Sequence, residues 1–220
     1  MVEISTSILQ VKKENIIKTI YNLETAHTDY FHIDVMDGEF VERDTSLYMR
    51  EYSEYIKQIS TVPLDVHLMV SDVKTYILSY ESLDPNILTF HIEACKNTQQ
   101  ILDNIKLIKS IGARVGIAIK PDTSINVIKE YLDKIHLCLI MTVEPGKGGQ
   151  EFLTKTANKI KELKNYIDEN NLDIDMEVDG GINDETAKIV KQNGANILVS
   201  GSYIINHSFK EQIEKLRKVN

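Results

Sequence analysis

The sequence predicts an α/β fold, a single (β/α)8 barrel. Three observations carry that expectation. Strand-like and helix-like segments alternate eight times along 220 residues, and such alternation implies a parallel sheet. Dividing 220 by eight gives about 27 residues per unit, compact for a barrel of typically ~250 residues. The polar residues that could do chemistry come from strands spread across the chain and lie toward strand ends, where a barrel gathers its active site. A doubly wound open sheet is the alternative, but no GxGxxG follows the first strand. No linker, low-complexity tract or shift in composition interrupts residues 1–220, so one domain is expected.

The expected strands cover residues 3–9, 30–36, 64–70, 87–92, 114–119, 137–144, 174–179 and 196–201. Between them apolar residues recur at helical spacing, as at Ile101, Ile105, Ile108 and Ile111, and at Ile160, Leu163 and Ile167. Asp122-Thr-Ser-Ile follows Pro121 and caps a helix leading into Ile125 and Ile128. Asn183-Asp-Glu-Thr does the same ahead of Ala187 and Val190. Gly112 and Gly194 stand where helices should stop before the next strand.

Hydrophobic content of 42% and charged content of 26% are those of a globular protein and exclude disorder. The net charge of −8 argues against nucleic-acid or membrane-surface partners. An anionic substrate would have to be attracted by local groups. Cys95 and Cys138 form no CxxC and no disulfide framework; Cys138, in an apolar run, reads as a small buried hydrophobe. The N-terminus lacks a basic region followed by an apolar stretch, and no apolar run reaches membrane-span length. A reducing cytoplasm is the expected location.

Two short runs hold the chemistry. His32, Asp34 and Met36 alternate in one expected strand, and Asp65, His67 and Met69 in the next. At strand spacing, each trio shares a face. One such pair would read as a satisfied core histidine, but two copies converge on a metal or catalytic cluster. Asp173-Ile-Asp-Met-Glu-Val-Asp179 adds a third strand, with Glu177 and Asp179 on one face. His32, Asp34, His67 and Asp179 then form a set of two imidazoles and two carboxylates. Such ligands suit one divalent ion, Zn²⁺, Fe²⁺, Mn²⁺ or Co²⁺, better than Ca²⁺ or Mg²⁺. Glu177 and Asp65 sit deeper and read as partners that orient the ligands.

Glycines mark three loops. Gly180 and Gly181 end the seventh strand, and Gly201-Ser202 the eighth. Barrels bind phosphate at these two loops, where backbone N–H groups can approach an anion. After the sixth strand, Gly146-Lys147-Gly148-Gly149 reads as a lid that excludes water. Met36, Met69 and Met141 are expected at the mouths of their strands, as an apolar floor or as core filling.

Together these segments resemble the ribulose-phosphate 3-epimerase family. The matching pieces are Ser7-Ile-Leu9, His32-Ile-Asp-Val-Met-Asp-Gly38 with Phe40-Val41, Asp65-Val-His-Leu-Met-Val70, Met141-Thr-Val-Glu-Pro-Gly146 with Gly148-Gly-Gln150, Val178-Asp-Gly-Gly-Ile182 and Gly201-Ser202. They run in order through nearly the whole chain. The resemblance implies a metal-dependent isomerase that inverts C3 of a phosphorylated ketose, most simply D-ribulose 5-phosphate to D-xylulose 5-phosphate. It implies ligands His32, Asp34, His67 and Asp179, with Asp34 and Asp179 as the acid/base pair on opposite faces of the substrate. One would remove the C3 proton, and the other would return a proton to the opposite face of a cis-enediolate. Ser7 and His67 would contact substrate, the lid would cover the sugar, and Gly180, Gly181, Gly201 and Ser202 would hold the phosphate. A homo-oligomer in carbohydrate metabolism is also implied.

Departures from the family pattern fall at the sugar end and the lid. Glu42-Arg43 replaces Pro-Asn, Lys147 replaces an aromatic, and the Asp expected shortly after Leu9 is absent. The stretch from Asp29 to Asp34 also looks like the related allulose-6-phosphate 3-epimerases, so a hexulose phosphate is an alternative. A barrel decarboxylase or aldol-type synthase would use an Asp-x-Lys-x-x-Asp array. Asp72-Val-Lys74 looks like its start, but position 77 is Ile and the segment reads as a helix N-terminus. A non-catalytic sugar-phosphate-binding barrel is disfavoured, because binding alone needs no pair of bases.

Overall fold

Alternate residues of a strand face opposite sides, and that parity sorts this chain into a barrel interior and an outer layer. The computed structural model describes residues 2–219. Its strands are β1 (Glu3–Ser7), β2 (Tyr30–Met36), β3 (Leu64–Met69), β4 (Ile87–His91), β5 (Arg114–Ile119), β6 (Leu137–Met141), β7 (Asp175–Asp179) and β8 (Ile197–Ser200). Each pairs in parallel with its neighbours in sequence, and β8 closes on β1. The helices are α1 (Ile16–Thr25), α2 (Ser46–Ile59), α3 (Val73–Tyr80), α4 (Thr98–Ser110), α5 (Thr156–Glu169), α6 (Asp184–Gln192), α7 (Ser202–Ile205) and α8 (Phe209–Lys218).

Phe31, Ile33 and Val35 of β2 belong to the main apolar layer, with Ile20 and Leu23 of α1 and Met49 and Ile56 of α2. The alternate residues of that strand face the other way, into the barrel. There Tyr30, Ile87, Ala118, Leu137, Leu139, Met141, Val143 and Ile197 form a separate apolar plug. The buried polar side chains of the interior come from β1 to β4 and β7, among them Ser5, Ser7, His32, Asp34, Asp65, His67, His91 and Glu177.

The cap expected at Asn183 and the stops expected at Gly112 and Gly194 are present, whereas the helix expected after Asp122 does not form. Asn183 and Thr186 form a reciprocal capping box at the start of α6. Asp72 caps α3 by accepting from the Thr75 N–H, so this acid serves a helix end. Gly112 and Gly194 follow α4 and α6 at φ values of +84° and +111°, which a side chain would resist.

One element differs from expectation. Between β5 and β6 the chain forms two 3₁₀ segments, Ile125–Val127 and Lys129–Lys134, and no α-helix. Ser124 caps the first of them. Ile125, Ile128 and Tyr131 are buried at intervals of three, the repeat of a 3₁₀ turn. Clustered β-branched residues (Ile125, Val127, Ile128) also weaken any α-helical preference.

Gly116 of β5 pairs with Thr89 of β4. A Cβ there would stand 2.1 Å from Thr89 Oγ1 and 3.0 Å from Leu137 Cδ2. Neither neighbour can retreat far inside a packed barrel. Gly116→Ala is therefore expected to destabilise the protein by about 1–3 kcal/mol, read as a lowered denaturation midpoint. An unchanged midpoint would mean that the barrel yields more easily at this seam than its packing indicates.

Candidate active site

The register of β2 against β3 assembles the centre of the site. His32 lies beside Asp65, Asp34 beside His67, and Met36 beside Met69. In step, alternate side chains of both strands enter the barrel together. β7 adds Asp179, aligned with Met141 of β6 on one side and Val199 of β8 on the other. Thr142 pins this corner: its N–H donates to the Asp179 carbonyl at 2.7 Å and its hydroxyl to the Gly180 carbonyl at 2.6 Å.

Four side chains meet at one point. Asp34 Oδ1 is 3.4 Å from both His32 Nε2 and His67 Nδ1, and His67 Nδ1 is 3.8 Å from Asp179 Oδ2. One ligand atom from each of His32, Asp34, His67 and Asp179 lies within 4.8 Å of the others. Both imidazoles are wholly buried. Their inward nitrogens, His32 Nε2 and His67 Nδ1, have no hydrogen-bond partner among the described residues. Buried nitrogens are normally partnered; two left open beside two carboxylates fit the donor set of a divalent cation.

The outward nitrogens are occupied. His32 Nδ1 is 2.6 Å from Asp65 Oδ2, which also accepts from Ser5 Oγ at 2.6 Å. His67 Nε2 is 3.0 Å from His91 Nε2, and His91 Nδ1 is 3.1 Å from Glu93 Oε2. Asp34 is steadied by Ser7, whose hydroxyl donates to Asp34 Oδ2 at 2.7 Å.

The two acids differ sharply in proton affinity. Burial opposes ionisation of Asp34, but the His32 and His67 imidazoles outweigh it and hold its carboxyl far below the usual range. Burial, reinforced by the charge of Asp34, pushes Asp179 up to about 7. Burial works against charge on His32 too, yet Asp65 and Asp34 raise its pKa well above 6.5. His67 is shifted down, chiefly by burial. Glu177 is driven well above its usual value by burial and by Asp65. A proton on Glu177 lets it donate to Asp65, and so partners two buried carboxyls that face each other. Paired acids with separated pKa values are the signature of acid–base work.

A cavity opens above this cluster. Asp34, Asp179 and Ser7 reach its wall, and Met36, Met69 and Met141 supply apolar surface. Gly180, Gly181, Gly201 and Ser202 line it from the ends of β7 and β8, and Gly146, Lys147, Gly148 and Gly149 from the loop after β6. Of the residues expected from the sequence, only His32 and His67 are missing from the wall: they lie beneath it, wholly buried.

The loop 146–149, expected to act as a lid, packs against two other loops. A Cβ on Gly146 would touch Val41 at 3.1 Å, and one on Gly148 would meet Gln10 Nε2 at 3.0 Å. Gln150 braces the loop from within, its side-chain amide donating to the carbonyls of Glu144 at 2.6 Å and Lys147 at 2.8 Å.

Several contributors escape a reading of the sequence. Gln10 and Val199 join the wall without any motif to mark them, whereas Glu144 and Gln150 join it from within the motif after the sixth strand, where no role was expected of them. His91 and Glu93 are different. Phe90-His-Ile-Glu93 repeats the aromatic-His-apolar-acid spacing of Phe31-His-Ile-Asp34, a signal that could have been followed.

A closed parallel barrel whose mouth carries two acids of divided proton affinity, over a cluster able to hold a divalent cation, defines a proton-transferring barrel enzyme. The chain is similar to solved barrels such as KGPDC from Streptococcus mutans, with a TM-score of 0.73 at 11% identity over 100% of this chain and 99% of that one; this likeness speaks for the fold. Residues 3–205 match the model of the ribulose-phosphate 3 epimerase family. The ribulose-phosphate 3-epimerase of Bacillus subtilis is 38% identical over 219 residues, 99% of both chains. That of Methanocaldococcus jannaschii is also 38% identical, over 99% of this chain and 91% of its own. The chain belongs to the ribulose-phosphate 3-epimerase family and is an isomerase.

Proposed function

We propose that this protein epimerises C3 of a ketose phosphate, interconverting D-ribulose 5-phosphate and D-xylulose 5-phosphate. Family membership supports the substrate class. The observation that carries the chemistry is the pair of carboxylates, Asp34 and Asp179, on the wall of one cavity with widely separated proton affinities. Inversion without redox chemistry needs one base to take the C3 proton and one acid to return a proton from the other face. Asp34, ionised, suits the first task in one direction, and Asp179 the second; the roles exchange in reverse. Ser7 orients Asp34 through its hydroxyl.

His32, Asp34, His67 and Asp179 would hold one divalent cation, and their nitrogen and oxygen donors suit Zn²⁺, Fe²⁺, Mn²⁺ or Co²⁺. A bound cation would supply Lewis-acid stabilisation of the charge that develops on the substrate oxygens. The backbone of Gly180, Gly181 and Gly201, with the Ser202 hydroxyl, takes the phosphate. Their common place on the cavity wall, at the ends of β7 and β8, supports this. The loop 146–149 covers the sugar and keeps water from the carbanionic intermediate. Both cysteines are unpaired, which agrees with a reducing cytoplasm.

Hydrogen exchange at C3 tests this reading directly. In deuterium oxide, metal-loaded protein is expected to place deuterium at C3 of D-ribulose 5-phosphate without releasing carbon dioxide or an aldehyde. The same assay on allulose 6-phosphate separates the pentulose from the hexulose. Absence of exchange with both sugars would falsify an epimerase assignment.

A further inference from the structure

The buried pair His91 and Glu93 lies outside the catalytic proposal, yet it is built with care. His91 ends β4 and is wholly buried, with its ring stacked on His67 at 5.1 Å between centroids. The Phe40 ring lies 5.0 Å from it, tilted by 44°. Glu93 Oε1 accepts from the Lys120 N–H at 2.8 Å and the Thr123 hydroxyl at 2.5 Å, and Oε2 faces His91 Nδ1. Both partners of Oε1 are donors.

We propose that Glu93 and His91 are positioning residues that fix the tautomer of His67, so that His67 Nδ1 presents a lone pair to the cation. The inference rests on the reading of His67 as a metal ligand. An ionised carboxylate can only accept, so His91 Nδ1 must carry the proton between it and Glu93. A neutral imidazole has one N–H, which leaves His91 Nε2 as an acceptor. At 3.0 Å, that acceptor obliges His67 Nε2 to be the donor. The single proton of His67 is then on Nε2, and Nδ1 is free.

Charge states agree with this order. His91 is wholly buried between rings, which disfavours a charged imidazole, while Glu93 accepts from the Lys120 N–H and the Thr123 hydroxyl, which favours its ionised form. The alternative order would place His91 Nδ1, unprotonated, against the Glu93 carboxylate, and would put a hydrogen on His67 Nδ1 where the cation belongs. His32 reaches the same end more simply, donating Nδ1–H to Asp65. The two ligands thus use opposite ring nitrogens, Nε2 for His32 and Nδ1 for His67, each set by what lies behind it.

Long-range ¹H–¹⁵N correlation spectra of the metal-free wild-type protein at pH 7.5 test the tautomer without any substitution. The expected result is a protonated Nε2 and a pyridine-like Nδ1 on His67. A protonated Nδ1 would overturn the proposal.

Variants extend the test. Glu93→Gln can turn its amide NH₂ toward His91 Nδ1 and reverse the relay. It is expected to move the His67 proton to Nδ1 and weaken Zn²⁺ binding roughly 10- to 100-fold by chelator competition. His91→Gln keeps an acceptor for His67 Nε2–H and should restore most of the affinity that His91→Leu loses. Wild-type Zn²⁺ affinity and tautomer in both Glu93→Gln and His91→Leu would equally overturn the proposal. Wild-type protein that shows the expected tautomer but binds no Zn²⁺, Mn²⁺, Co²⁺ or Fe²⁺ would instead sink the metal reading of the site.

Discussion

Asp34→Asn is expected to lower kcat by about 10³- to 10⁴-fold, roughly 4–5.5 kcal/mol of barrier, with the barrel intact. Asn keeps the size of Asp and an oxygen for the Ser7 hydroxyl, which donates to Asp34 Oδ2 at 2.7 Å, so the fold has little reason to respond. What disappears is a base whose ionised form His32 and His67 favour strongly. Asp179→Asn should cost a similar factor for the complementary reason, since it removes the group whose pKa of about 7 suits proton return near neutrality. Both residues also stand in the candidate metal cluster, so metal content must be measured beside the rate.

Exchange can separate loss of one base from loss of the metal. With one carboxylate gone, the other can still wash the C3 proton out of the epimer that presents it, while inversion is blocked. Each variant should therefore exchange one epimer much faster than it inverts either. A fully metallated variant that inverts C3 at the wild-type rate would remove that residue from the mechanism.

Cation affinity should fall steeply in acid. In the metal-free protein, Asp65 and Asp34 overcome burial and hold a proton on His32 well above pH 6.5, while burial and Asp34 hold one on Asp179 up to about pH 7. Both protons must leave before these atoms can bind a metal. Lowering the pH from 7 to 5 is then expected to weaken apparent Zn²⁺ or Mn²⁺ affinity by ~10²- to 10⁴-fold, at tenfold per pH unit for each proton displaced. Calorimetry in buffers of different ionisation enthalpy should register one to two protons released per cation at pH 6.

The stability of the metal-free protein carries the sign of the Asp179 shift. Its carboxyl is raised from 3.8 to about 7, so between these values the folded state holds a proton that the unfolded chain has lost. Its contribution to stability therefore declines as pH rises through that window and is level above it. Asp34 and Asp65, both shifted downward, act in the opposite sense at lower pH, contributing stability that fades only as pH falls below the usual carboxylate range. The rise in melting temperature on adding Zn²⁺ should thus be larger at pH 8 than at pH 5. Equal affinity at both pH values would show that neither His32 nor Asp179 surrenders a proton to the cation.

Much of this was legible in the sequence because it depends on short-range periodicity. Spacing of two residues decides which side chains share a strand face, and spacing of three and four decides which share a helix face. All eight strands were therefore placed, and those at 30–36 and 114–119 agree with β2 and β5 end to end. The same parity grouped His32 with Asp34 and Asp65 with His67. Strand ends were less legible. The sixth stops at Met141 rather than at position 144, because Thr142 turns to bond β7 and Gly180, contacts that lie far away in sequence. The 3₁₀ segments before β6 likewise reflect which faces the barrel covers.

By itself the sequence determined the order of strands and helices, the two metal-friendly motifs and the glycines at the mouth, since each rests on residues a few positions apart. Only the tertiary structure decided that β2 and β3 pair without a stagger between their His and Asp residues, and that β7 brings Asp179 to the same point. It alone set Asp34 and Asp179 apart in proton affinity and put Glu93 behind His91 and His91 behind His67. Those properties depend on burial and on separations within 4.8 Å between residues up to 147 positions apart (His32 and Asp179 in one cluster), and no local pattern encodes a distance across a closed barrel.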